Sequence, residues 1–142
     1  MTIGEGVKLE TLIAEAEAEI EIVDADGLRA ELEAEDLVVI DLRDVRELQR
    51  EGHLPGAMHM PRGMLEFWIA PESPYAREVF QEDKRFVFYC AMGWRSALAC
   101  QIATRMGLER AAHLDGGFQG WKAAGGEVVP YEKKPRGAGK AG

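Results

Sequence analysis

Phe86-Val87-Phe88-Tyr89-Cys90-Ala91-Met92-Gly93-Trp94-Arg95-Ser96 is the stretch on which the fold turns. Its first four residues form a short continuous apolar run, the pattern of a parallel strand buried on both faces. That run leads straight into a cysteine and a short loop. A helix follows, predicted from Ser96 to Gly107, with an apolar stripe at Leu98, Ala99, Ile102, Ala103 and Met106. In parallel sheets ligands gather beyond the carboxyl ends of the strands, and Cys90 stands at such an end. The first turn of a helix leaves backbone N–H groups unpaired, and its dipole adds partial positive charge. A loop curled over that end makes an anion cradle. Gly93 lets the loop take a positive φ or approach its neighbours closely. Arg95 adds a fixed charge and a planar donor fork. A thiol so placed is favoured as the thiolate, its reactive form. Cys90 is therefore the candidate nucleophile, and Ala91, Met92, Gly93, Trp94 and Arg95 are the candidate binding loop. Trp94 is expected to point outward, because the loop interior is small.

Working outward, Leu37-Val38-Val39-Ile40 reads as a second buried strand, ending in Asp41-Leu42-Arg43-Asp44. Asp41 and Arg43 are expected to form a buried structural ion pair or to cap the loop that follows. Asp44 caps a short helix over 45–50 that stops at Gly52. His53-Leu54-Pro55-Gly56-Ala57 is a turn, with His53 as its hydrogen-bonding residue. A helix is predicted over 62–70; it carries Phe67 and Trp68, and Arg62 is a candidate for the mouth of the site. Residues 111–114 form a further strand, and 117–124 a last helix with Phe118 and Trp121. Upstream, 21–23 is a short edge strand, followed by a helix capped by Asp24 or Asp26 and running to about Glu33. Residues 8–20 carry apolar side chains at helical spacing among Glu and Ala, an amphipathic helix docked on the domain. The organisation read from this is an N-terminal helical extension (1–20), one α/β domain (21–130) and a flexible tail rich in Lys, Pro, Gly and Ala (131–142).

The length of 142 residues fits one domain, and 46% apolar residues can build its core without disulfide or metal staples. A net charge of −8 argues against nucleic acid and anionic membrane surfaces as partners. An anionic small substrate stays compatible through a local positive site. No apolar run is long enough for a membrane span and no secretory signal is visible, so a reducing cytoplasm is the expected compartment. The three histidines have no metal-ligand spacing with Cys90, Cys100 or one another; no metal and no cofactor are expected. Cys100 reads as a small packing residue on its helix.

The loop Phe88–Ala97 resembles the active-site loop of rhodanese-like domains. Two further stretches resemble that family's flanking motifs. The first is Ile40-Asp41-Leu42-Arg43, followed by Gly52-His53-Leu54-Pro55-Gly56-Ala57. The second is His113-Leu114-Asp115-Gly116-Gly117-Phe118 with Trp121. The resemblance covers about residues 24 to 126. It implies a three-layer rhodanese-like fold, a small, mostly parallel sheet flanked by helices. It also implies sulfur transfer through a Cys90 persulfide, from an anionic donor such as thiosulfate or from a persulfide, to a protein or low-molecular-weight thiol acceptor. Two other readings stay open. One is a cysteine-dependent phosphatase or arsenate reductase on the same fold. That chemistry uses five residues between cysteine and arginine, where this chain has four between Cys90 and Arg95. The other is a non-catalytic rhodanese-like binding module. The uncharged Ala91 and Met92 depart from a loop built for thiosulfate and favour a protein persulfide donor.

Overall fold

Helices and strands alternate along the chain, whose computed structural model describes residues 1–132. In order they are α1 (Leu9–Glu19), β1 (Glu21–Val23), α2 (Ala25–Glu31), β2 (Leu37–Asp41), α3 (Val45–Glu51), β3 (Met58–His59), α4 (Leu65–Ile69), β4 (Arg85–Tyr89), α5 (Trp94–Arg105), β5 (Ala111–Leu114) and α6 (Gly117–Ala123). Short 3₁₀ turns cover Arg62–Met64 and Glu78–Gln81. The strands form one parallel sheet in the order β1-β5-β4-β2-β3. Its two central strands, β4 and β2, are the two apolar runs of the sequence, and Asp41 lies in register with Tyr89. The expected tail over 131–142 falls, from residue 133 onward, outside the described residues.

Strand alternation divides the core into two layers. Ile40, Phe86, Phe88 and Ala111 face one way and pack with Leu65 and Ile69 of α4 and with Ala99, Cys100 and Ala103 of α5. Val39, Val87, Tyr89, Ala112 and Leu114 face the other way, toward Leu28 of α2 and Phe118 and Trp121 of α6. On this count Cys90, one residue past β4, falls on the α5 side, and so does His113. The first helix, α1, lies along α5, where Glu19 accepts hydrogen bonds from Gln101 and Arg105 at 2.7 and 2.9 Å.

Three elements differ from the sequence reading. The helix expected over 62–70 is split, its first residues forming a 3₁₀ turn around Gly63, a poor helix former. Met58–His59, assigned to no element in the sequence reading, adds an edge strand beside β2. The helix after the loop starts at Trp94 rather than Ser96, because Gly93 at φ 122° makes the turn into it.

Candidate active site

Cys90 sits where β4 stops, and the loop that follows is held from behind. The carbonyls of Cys90 and Ala91 accept hydrogen bonds from the Phe118 and Gln119 amides, at 2.8 and 3.1 Å. This close approach requires Gly117. A Cβ there would lie 2.6 Å from the Cys90 carbonyl oxygen, and the residue's φ is +57° besides. A trans peptide points its N–H opposite its carbonyl, so the Ala91 and Met92 amides face away from α6. The Gly117-Phe118-Gln119 stretch at the start of α6 thus acts as the clamp of the loop after Cys90.

The thiol itself is 2% exposed. Its sulfur accepts a hydrogen bond from the Gly93 amide at 3.1 Å and lies 3.5 Å from the Ser96 hydroxyl. Ser96 in turn is 2.7 Å from Nδ1 of His113, and both residues are buried. Burial pushes the His113 imidazole below its ordinary value, against the opposing pull of Asp115. A cavity of about 360 Å³ opens over Cys90, walled by Ala91, Met92, Trp94 and Arg95. Met92 and Trp94 are 76% and 63% exposed, so the rim is apolar and turned to solvent. Trp94 also lines a neighbouring cavity of about 480 Å³, whose other walls include Leu9, Ile13 and Ala14 of α1. A larger cavity of about 680 Å³, between His53, His59, Trp68, Arg77 and Tyr131, contains no cysteine.

Arg95 is not a free cation. Its guanidinium makes a two-pronged contact with Glu47, at 2.8 and 3.1 Å. Glu47 also accepts from the Asp44 amide at 2.9 Å, completing a capping box at the start of α3. The Arg95 hydrogen bonds hold Glu47 below the usual carboxylate range. Glu47 was missed in the sequence; the Asp44-x-x-Glu47 spacing announces the capping box but not the contact with Arg95.

The remaining candidates are placed as follows. Arg62 is not among the residues walling the Cys90 cavity; on its 3₁₀ turn it bonds Glu66 along its own helical path at 3.0 Å. Asp41 and Arg43 form the buried ion pair, at 2.9 Å. Tyr89 donates to Asp41 at 2.5 Å, and Arg43 also reaches the Gly52 carbonyl at 2.6 Å and stacks over Phe118. Nδ1 of His53 fixes its turn through the Leu54 carbonyl at 2.7 Å. Cys100 is fully buried, and burial pushes its thiol up to about 11. Among the described residues no three metal-type side chains converge, and no helix is long and apolar enough to cross a membrane.

Known proteins resemble this chain in sequence and fold. The family model described as "Rhodanese-like domain" matches residues 24–124. YtwF of Bacillus subtilis, named as a candidate sulfurtransferase, is 31% identical over 113 residues, which cover 79% of this chain and 97% of YtwF. The human thiosulfate:glutathione sulfurtransferase is 30% identical over 89 residues, 58% of this chain and 76% of that protein. A solved structure from Rhodopseudomonas palustris, a protein of unknown function described as a possible tyrosine phosphatase, is 48% identical with a TM-score of 0.85. The match covers 91% of this chain and 98% of that one.

Proposed function

The chain belongs to the rhodanese-like domain family, and we propose that it is a sulfurtransferase in which Cys90 carries sulfur as a persulfide. The observation that carries this reading is the thiol under a short loop whose first two carbonyls, those of Cys90 and Ala91, bond α6 while the Gly93 amide donates to the sulfur. In the first half-reaction the Cys90 thiolate attacks the outer sulfur of the donor. With thiosulfate the S–S bond breaks, sulfite leaves with the bonding pair, and Cys90 holds Cys–S–S⁻. In the second, an acceptor thiolate takes the outer sulfur and Cys90 returns as thiolate. The Gly93 amide, which donates to the sulfur, stabilises charge in both states. The apolar rim and the Glu47-bound Arg95 suit an organic persulfide donor better than a dianion. The names of the relatives support thiosulfate and a small thiol such as glutathione as partners to try first. Ala91, Met92, Gly93, Trp94 and Arg95 are the binding residues of this proposal. The compartment proposed is the cytoplasm.

Intact mass spectrometry tests it. After thiosulfate or an alkyl persulfide, the protein gains about 32 Da, one sulfur atom, and loses it to cyanide or a thiol. Cys90→Ser does not gain it, whereas Cys100→Ser does. Sulfur found on Cys100 alone would sink the assignment.

The 48% identical neighbour described as a possible tyrosine phosphatase favours a second reading. Four residues between Cys90 and Arg95 make a ring narrower than a tetrahedral phosphate needs. Both activities, measured on one preparation with Cys90→Ser as blank, separate the two. Cys90-dependent aryl phosphate hydrolysis above sulfur transfer would reverse the conclusion.

A further inference from the structure

A nucleophilic thiol that is 2% exposed, at the floor of its cavity, loses its proton more readily where a hydrogen-bonded acceptor lies beside it. Two buried groups that the sulfur-transfer steps do not use lie beside it. The Ser96 hydroxyl is 3.5 Å from the Cys90 sulfur, and the His113 Nδ1 is 2.7 Å from that hydroxyl. We propose that Ser96 and His113 form a proton relay that takes the proton of Cys90 before it attacks, with Ser96 as conduit and His113 as the positioning residue that receives it.

The placement follows from the fold. Strand alternation puts His113 on the face of β5 that looks toward α5, and Ser96 lies in the first turn of α5. The ring is also packed against the loop: a Cβ on Gly93 would lie 3.2 Å from its Cε1. Ser96 has a second possible acceptor, the Gly93 carbonyl at 3.3 Å, but the imidazole contact is much the shorter. The step balances. The thiol S–H breaks as its proton passes to the Ser96 oxygen, the Ser96 proton passes to Nδ1, and the products are thiolate and imidazolium. No electrons change hands. The charged groups that face this pair are few. Arg95 of α5 lies on the thiol side, itself bound by Glu47 of α3, and Asp115 lies on the imidazole side. An imidazolium at His113 therefore stands between the thiolate and the Asp115 carboxylate, and these two charges oppose the burial that otherwise disfavours it, so that it forms only transiently.

The proposal rests on Cys90 as nucleophile but not on what Cys90 attacks, and its test reads the thiol directly. Alkylation of Cys90 by iodoacetamide is followed from pH 5 to 10 in the full chain, with peptide mass spectrometry assigning the site. His113→Asn keeps a hydrogen-bonding group near Nδ1 but cannot take up a proton. It should slow alkylation at pH 7 by roughly tenfold, a shift of about one pH unit, and match the wild type at pH 10, where hydroxide removes the proton. Ser96→Ala should do the same, and the double variant should be no slower than either single one. An unchanged profile in His113→Asn, or an equal loss at every pH, overturns the relay. Should the variants misfold, the ring resonances of His113 in the wild type serve instead. Their titration midpoint should move when Cys90 is blocked by iodoacetamide, and a fixed midpoint overturns the relay too. Normal alkylation with no sulfur transfer would count against the sulfurtransferase reading and leave the relay standing.

Discussion

β2 and β4 lie side by side and end in register, Asp41 opposite Tyr89, yet polar groups at the two ends are handled in opposite ways. At the β2 end, Asp41 and Arg43 are sealed. Asp41 accepts from Arg43, from its amide and from Tyr89, and the guanidinium is covered by Phe118. One nitrogen of Arg43, Nη1, has no hydrogen-bond partner among the described residues, so the pair has no spare capacity for the loss of another contact. At the β4 end, the Cys90 sulfur has one backbone donor and one hydroxyl, and a cavity stands over it. Position beyond a strand end therefore does not by itself make a group reactive. A fully buried ion pair bonded to itself makes a strut, whereas a thiol with few partners beside a cavity is placed where a reactant can reach it.

The sharpest way to break this contrast is Asp41→Ala. It strands a fully buried guanidinium, and urea unfolding should show a loss of about 3–5 kcal/mol. A variant that keeps its stability but loses sulfur transfer would move Asp41 from strut to reaction. Gly93→Ala comes next. At φ 122° a side chain is strained, and the new Cβ meets His113. Stability should fall by about 1–3 kcal/mol, and kcat/KM for sulfur transfer should drop roughly tenfold, because the displaced amide is the one on the sulfur. Wild-type turnover in this variant would show that the Gly93 amide is dispensable. The smallest effect is expected from Glu47→Gln, which frees the Arg95 charge at the cavity. KM for thiosulfate should fall roughly two- to fivefold, the scale of a partly exposed ion pair. A raised KM would mean that Glu47 is needed to aim Arg95 at the donor.

The same pair gives a pH dependence with a definite sign. Glu47 has its carboxyl depressed below the ordinary 4.5 in the folded chain. Its contribution to stability is therefore present above that value and is lost as pH falls through the lower folded one. The stabilities of wild type and Glu47→Gln, measured by urea unfolding, should converge as pH drops below 4.5. A gap that persists in acid would show that the ion pair is not its source.

The features legible in the sequence were those written in contiguous residues. Val87-Phe88-Tyr89-Cys90 announces a buried strand with a thiol at its end. Gly93 announces the tight turn, and the Asp41-x-Arg43 spacing puts both charges at one strand end. Features made by two distant segments meeting were not legible. Ser96 and His113 were each noted, as a helix start and as part of a motif, but their contact depends on the register of β4 with β5, Phe88 opposite His113. Glu47 could have been found from its capping-box spacing, though not its reach to Arg95. Arg62 was placed at the mouth because its stretch follows the Pro55-Gly56 turn, at the carboxyl edge of the sheet. A 3₁₀ turn around Gly63 sends its side chain along Glu66 instead.

The clamp of α6 on the loop has a consequence for how the protein comes into being. A chain emerging from the ribosome exposes Cys90 well before Phe118 and Gln119, whose amides are the donors for the Cys90 and Ala91 carbonyls. Until those residues arrive, the loop has no template for its peptide planes, and the cysteine is an ordinary thiol on a nascent strand. The loop thus takes its shape only once α6 has been synthesised, after all five strands of the described sheet, and the reactivity proposed for Cys90 waits on that helix.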